Sequence, residues 1–129
     1  MFKPPSWKSA LFSAKLAWKR PLFKYGSVVL CLTIIVATAV FLMRVVPAAR
    51  KNGSFIMHYN IYFGSDDVRT WGWCFLLPAV WLTISLAALA WSFVSYQRDP
   101  HLAYSLMIVC LAWSLPWIGA LFYLTLINE

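Results

Sequence analysis

The chain has 129 residues, of which 62% are hydrophobic and only 12% are charged. A soluble domain is about half apolar and about a quarter charged, so this composition excludes an ordinary soluble fold and indicates lipid as the solvent. The net charge of +7 would suit a nucleic-acid-binding protein, but six of the eleven cations lie within the first 24 residues. That asymmetry is typical of a membrane orientation signal, and we expect no nucleic-acid partner.

Residues 1–25 predict a cytoplasmic basic segment that contains a short amphipathic helix. At about 100° per residue, one helical stripe is apolar and lysines line its side; the stripe consists of Trp7, Leu11, Ala14 and Trp18. Such a helix lies at the membrane interface, where its cations reach anionic headgroups. We expect this contact from Lys8, Lys15, Lys19 and Arg20. The alternative is that these cations only set the topology.

Three uncharged runs predict three transmembrane helices. The first run, Tyr25–Met43, has 19 residues and would span about 28 Å as a helix, close to the thickness of a hydrocarbon core. The helices are placed at 26–46, 71–96 and 102–127, with a cytoplasmic turn at 97–101. Pro47 is expected to lie just beyond the first helix. Pro78 and Pro116 are expected to bend the other two.

The distribution of Lys and Arg predicts how the chain is oriented in the inner (plasma) membrane. The N-terminal segment is the most basic part of the chain, whereas the loop at 47–70 holds only Arg50, Lys51 and Arg69. The positive-inside rule therefore places the N-terminus in the cytoplasm and the C-terminus outside. The small residues at 46–49 resemble a signal-peptidase site, but the preceding apolar run is longer than a signal core, so we expect no cleavage.

The predicted spans lack buried charge and contain stripes of small residues. None of the three runs contains Asp, Glu, Lys or Arg, which argues against a self-contained pump or proton-coupled carrier. Small residues let helices approach closely in lipid; the packing positions are Ser85, Ala88, Ser92, Cys110 and Ser114. These stripes join either the chain's own helices, which we favour, or a partner. Periodicity leaves open whether four tryptophans face lipid or protein: Trp81, Trp91, Trp113 and Trp117.

No metal, cofactor or catalytic site is expected. His58 and His101 fall on opposite sides of the membrane in this topology, so one protomer cannot bring both to one haem. The three cysteines have no zinc-like spacing, and we expect no disulfide. His58 with Asp66 and Asp67 is the one set that an enzyme acting on lipid or envelope precursors could use, and we do not expect an enzyme.

The loop at 47–70 contains the sequence MHYNIYFG at positions 57–64. Residues 55–63 suit a β-strand, because aromatic and β-branched side chains dominate them. Gly64 ends the strand, and Ser65 with the following acids is expected to cap the next element. We expect an ordered extracytoplasmic loop over the helix ends. It is either a docking surface or a lid, with the contacts made by His58, Tyr59, Asn60, Tyr62 and Phe63.

Residues 57–66 resemble the LHYNIYFG-x-D signature of a family of small, uncharacterised integral membrane proteins from bacteria. The resemblance is clearest over residues 58–64 and includes Asp66, and it continues more loosely through Leu77 and Pro78 over about half of the chain. This chain departs from the pattern at Ser65, where an apolar residue is common. The resemblance implies a bacterial membrane protein with an ordered outward loop, and it implies no substrate.

The sequence thus predicts an all-α membrane protein with three transmembrane helices, a preceding basic amphipathic helix and one ordered extracytoplasmic loop. The expected function is that of an accessory or scaffold subunit of a larger membrane protein complex, without catalysis or cofactor. The alternative is a homo-oligomeric pore or transport component. The expected partners are the anionic surface of the lipid bilayer and other membrane protein subunits.

Overall fold

A computed structural model of the protein describes residues 7–60, 62 and 64–128, and for residues 59, 60, 65 and 66 it describes the backbone only. The elements, in chain order, are α1 (Trp7–Trp18), α2 (Pro21–Asn52), β1 (Ser54–Asn60), β2 (Gly64–Thr70), a 3₁₀ helix (Trp71–Phe75), α3 (Leu76–Ser95) and α4 (Pro100–Asn128). Within this described part of the chain, three helical segments are long and apolar enough to cross a membrane: Pro21–Asn52, Trp71–Ser95 and Pro100–Asn128. The predicted number of membrane-length helices is confirmed.

Helix α2 is longer than the predicted span of 26–46 and continues through Pro47 to Asn52. Proline removes one backbone donor, but Val45 and Ala49 on either side of it are buried and hold the helix in place. Gly53 follows with a φ of 69°, the left-handed conformation that commonly ends a helix. At the other end Pro21 takes the first helical position, where its missing N–H costs nothing.

The loop between α2 and α3 is a β-hairpin, so the chain is not wholly α-helical. β1 pairs with β2 in antiparallel fashion, from Ser54 opposite Thr70 to Asn60 opposite Gly64. The prediction of a strand beginning near Phe55 agrees with β1, but β2 was not predicted. Ser65 and the acids after it enter this second strand rather than capping a helix. Pairing is possible because Gly64, with a φ of 76°, lets the chain reverse.

Replacing Gly64 by alanine is expected to destabilise the protein by about 1–2 kcal/mol, since that is the cost of a left-handed backbone for an L-residue. A Cβ at Gly64 would meet no atom within 4 Å, so the loss is conformational and not steric. Unfolding of the purified protein by sodium dodecyl sulfate measures it. Gly72→Ala is the control, because a Cβ there is also unobstructed and its φ is not positive. Equal effects of the two changes would contradict the explanation.

The residues form two compact units, and each long helix contributes to both. The first unit combines Met1–Thr33 with Thr83–Ser114, and the second combines Ile34–Leu82 with Leu115–Glu129. In the first, the side chains of Phe23, Tyr96 and Met107 form a buried cluster. In the second, Phe41 packs edge-on against Phe55 at a ring-centroid distance of 6.4 Å.

Candidate functional site

The hairpin is anchored at its base by a buried asparagine at the end of α4. The Ile56 N–H donates to Oδ1 of Asn128 at 2.7 Å, and Nδ2 of Asn128 donates to the Ile56 carbonyl at 2.8 Å. Nδ2 also donates to the Leu124 carbonyl at 2.9 Å. The amide of Asn128 therefore pairs with β1 as a neighbouring strand would. The fully buried ring of Phe55 adds an apolar contact beside it.

Of the residues predicted to contact a partner, the structure describes the side chains of His58 and Tyr62. His58 is exposed, and Tyr62 is 89% exposed. The side chains of Tyr59 and Asn60, and the whole of Phe63, lie outside the described part of the structure. The pairing register is irregular on both sides of His58. Such an irregularity redirects side chains, and this one lies at His58.

Two cation–indole pairs lie beside the hairpin. The Arg50 guanidinium lies over the ring of Trp71 at 4.7 Å, and that of Arg69 lies over the ring of Trp73 at 5.3 Å. Nε of Arg69 also donates to Oδ1 of Asp67 at 2.6 Å. Both partners of that ion pair are partly exposed, so it contributes little stability. Arg50 and the indoles of Trp71 and Trp73 are exposed, and exposed indoles next to apolar helices are typical of a membrane–water boundary.

The structure shows where the candidate catalytic and metal-binding groups lie. The Asp67 carboxylate is engaged by Arg69, although the backbone of Asp67 lies opposite that of His58. Among the described residues, no three His, Cys, Asp or Glu side chains lie close enough together to hold a metal ion. Cys31, Cys74 and Cys110 are present as thiols.

No protein-family model, curated protein or solved structure matches this chain.

The small residues predicted to pack between helices are mostly buried. Ser85, Ser92, Cys110 and Ser114 are buried and Ala88 is half-buried. The Ser92 hydroxyl donates to the Ala103 carbonyl at 2.7 Å, so this position joins α3 to α4 within the first unit.

The four tryptophans whose surroundings the sequence leaves open divide into a stacked pair and an exposed pair. Trp81 is buried and stacks on Trp117 at 6.2 Å, whereas Trp91 and Trp113 are exposed.

Helix α1 packs through a face that the sequence did not single out. Ser13 and Ala17 are its buried residues. The Ser13 hydroxyl donates to the Phe93 carbonyl at 2.8 Å and accepts from the Gln97 N–H at 2.9 Å. Ser13 therefore satisfies backbone groups at the end of α3, where a helix lacks internal partners.

The remaining surface of α1 is apolar and basic. The side chains of Trp7, Leu11 and Trp18 are exposed, and the four predicted headgroup contacts, Lys8, Lys15, Lys19 and Arg20, are exposed as well. Nε of Arg20 donates to the Tyr96 hydroxyl at 2.9 Å. This hydrogen bond raises the pKa of Arg20 above its ordinary value, and it ties Arg20 to the chain itself.

Proposed function

We propose that this protein is an accessory or scaffold subunit of a larger membrane protein complex and has no catalytic activity of its own. The observation that carries the proposal is the anchored hairpin. An isolated two-stranded hairpin is marginally stable in water, yet this one is held at its base by Asn128 and Phe55. A surface ordered before binding loses less entropy when a partner docks.

Tyr62, which is exposed at the hairpin tip, suits a binding role. Tyrosine offers a large apolar ring and a polar hydroxyl, and it is enriched among the residues that dominate interface energies. Tyr62 is 89% exposed at a turn between two paired strands. The likeness of residues 57–66 to the LHYNIYFG-x-D signature supports a bacterial membrane as the setting.

We place the N-terminus in the cytoplasm, the C-terminus outside, and the hairpin on the outer side of the inner membrane. The excess of cations before α2 supports this orientation. Helix α1 would then lie on the inner leaflet. Its exposed Trp7, Leu11 and Trp18 suit the acyl-chain boundary, and its exposed lysines suit anionic headgroups.

The test is affinity purification of the full chain in mild detergent at native expression level, followed by mass spectrometry. The expected result is one or more foreign membrane subunits in stoichiometric amount, whose recovery falls at least about tenfold with Tyr62→Ala, as for an interface hot spot. Tyr25→Ala is the matched control, because Tyr25 is an exposed tyrosine of the first unit. A pure homo-oligomer that is indifferent to Tyr62→Ala would overturn the proposal and favour the pore.

A further inference from the structure

The second unit contains an open apolar groove beside α2. The groove has a volume of about 440 Å³, and of the eight residues that line it seven are apolar and Thr38 carries a hydroxyl. Ile35 and Ala39 line it from α2, and Phe75, Ala79 and Leu82 line it from the 3₁₀ helix and α3. The alanines leave the space that larger side chains would fill.

The groove lies within two of the segments long and apolar enough to cross a membrane, Pro21–Asn52 and Trp71–Ser95. Its surroundings in a bilayer are therefore acyl chains. By itself an apolar groove at this depth would accept any hydrocarbon or apolar helix. Arg50, a cation near one end of this groove, gives it a more specific chemistry.

A row of aromatic rings connects the groove to a cation. The ring of Phe75, which lines the groove, packs edge-on against the ring of Trp71 at a centroid distance of 6.3 Å. The Arg50 guanidinium in turn lies over the Trp71 indole, 4.7 Å from the ring centroid. A guanidinium that stacks on a ring still directs its N–H donors outward in its own plane, where they fit a phosphate.

The spacing along α2 matches the length of one lipid leaflet. Ala39 and Arg50 are eleven residues apart, which is about three turns, so they lie on the same face of the helix about 16 Å apart along its axis. Half of a hydrocarbon core is about 15 Å thick. With Arg50 at headgroup level, Ala39 reaches about the middle of the bilayer, as the end of an acyl chain does.

We propose that this groove and Arg50 form a binding site for one anionic phospholipid, with an acyl chain in the groove and the phosphate on the guanidinium. Lys51 is exposed next to Arg50, but consecutive residues of a helix are about 100° apart, so Arg50 and not Lys51 is aligned with the groove face. Asp67, the hairpin acid whose side chain is described, is engaged by Arg69 and does not neutralise Arg50. A phospholipid supplies an acyl chain and an anion in one molecule, at the separation that Ala39 and Arg50 have along α2. The site does not depend on the proposed subunit role.

The test is native mass spectrometry of the full chain, purified in mild detergent and titrated with phosphatidylglycerol or phosphatidylcholine that carry identical acyl chains. The first phosphatidylglycerol is expected to bind about fivefold more tightly than phosphatidylcholine, and Arg50→Gln is expected to abolish that preference. Arg50→Lys should keep part of it. Lys24→Gln is the control, because it removes the same charge from another cation–ring pair, one that belongs to the first unit, and should leave the preference intact.

A second pair of variants tests the acyl-chain part of the site. Ala39→Phe fills the groove and is expected to weaken both lipids at least about fivefold, whereas Ala87→Phe, at an exposed alanine of α3 outside the groove, should not. Ala39→Leu provides a smaller obstruction if the phenylalanine variant does not fold. Equal binding of the two lipids, or a preference that survives Arg50→Gln, would mean an adventitious boundary lipid only. Loss of a dimer or of a bound polypeptide in Ala39→Phe, with lipid binding unchanged, would assign the groove to a helix and overturn the proposal.

Discussion

Replacing Phe23 by alanine is expected to lower the free energy of unfolding by about 3–5 kcal/mol, the range for loss of a fully buried aromatic side chain. Phe23 is 0% exposed. Its ring lies 5.4 Å from that of Phe93, 5.1 Å from that of Tyr96 and 5.2 Å from that of Tyr104, in edge-on contacts that are each stabilising. Unfolding by sodium dodecyl sulfate in mixed micelles measures the change.

The neighbouring Tyr25 provides the control for this prediction. It is an aromatic residue of the same helix, but it is 63% exposed, so Tyr25→Ala should change the free energy of unfolding by less than about 0.5 kcal/mol. Phe23→Leu keeps part of the volume and should lie between the two. If Phe23→Ala and Tyr25→Ala were equally destabilising, hydrophobicity of the helix rather than ring packing would explain both.

The aromatic cluster around Phe23 determines where α1 can lie. Phe93 contributes a ring to Phe23 and a carbonyl to the Ser13 hydroxyl, and Tyr96 contributes a ring to Phe23 and a hydroxyl to Arg20. The end of α3 and the residue after it therefore hold both α1 and the start of α2. Loss of Phe23 should loosen α1 as well, and with it the basic surface proposed to rest on the membrane.

The membrane-length helices could be predicted because every residue in them contributes to the same signal. A run of about 20 apolar residues is recognisable whatever its contacts are. The contacts of Phe23 could not be predicted in this way, because its partners lie some 70 to 80 residues further along the chain. In a sequence where most residues are apolar, nothing local distinguishes a buried phenylalanine from one that faces lipid.

The hairpin shows a different reason for an incomplete prediction. Serine and aspartate after a glycine suit a helix cap and a turn equally well, so Ser65 and the following acids gave no preference for β2. Ser13 lies outside the predicted apolar stripe of α1, so the sequence alone gives no sign that it packs. Its contact with the end of α3 depends on tertiary structure alone. Asn128 is a polar residue at the end of an uncharged run, and that position could have indicated a hydrogen bond to the loop.

Replacing Asn128 by aspartate is expected to release the hairpin from α4. Aspartate can still accept from the Ile56 N–H, but it has no N–H to donate, and its second oxygen would face the carbonyls of Ile56 and Leu124. Losing a buried donor in this way costs about 2 kcal/mol. Hydrogen–deuterium exchange of the Ile56 amide, which measures this opening directly, should become about thirtyfold faster.

Asn52→Asp is the matched control, since Asn52 is an exposed asparagine at the end of α2 and its substitution should leave exchange at Ile56 unchanged. Unchanged exchange in Asn128→Asp would show that Phe55 alone holds the hairpin.

Capture of partner subunits in the affinity purification gives a second measurement on the same variant. If Tyr62 binds because the hairpin is ordered in advance, Asn128→Asp should weaken capture although it leaves the tip residues intact. Full capture by a hairpin whose Ile56 amide exchanges freely would mean that the partner itself orders the hairpin.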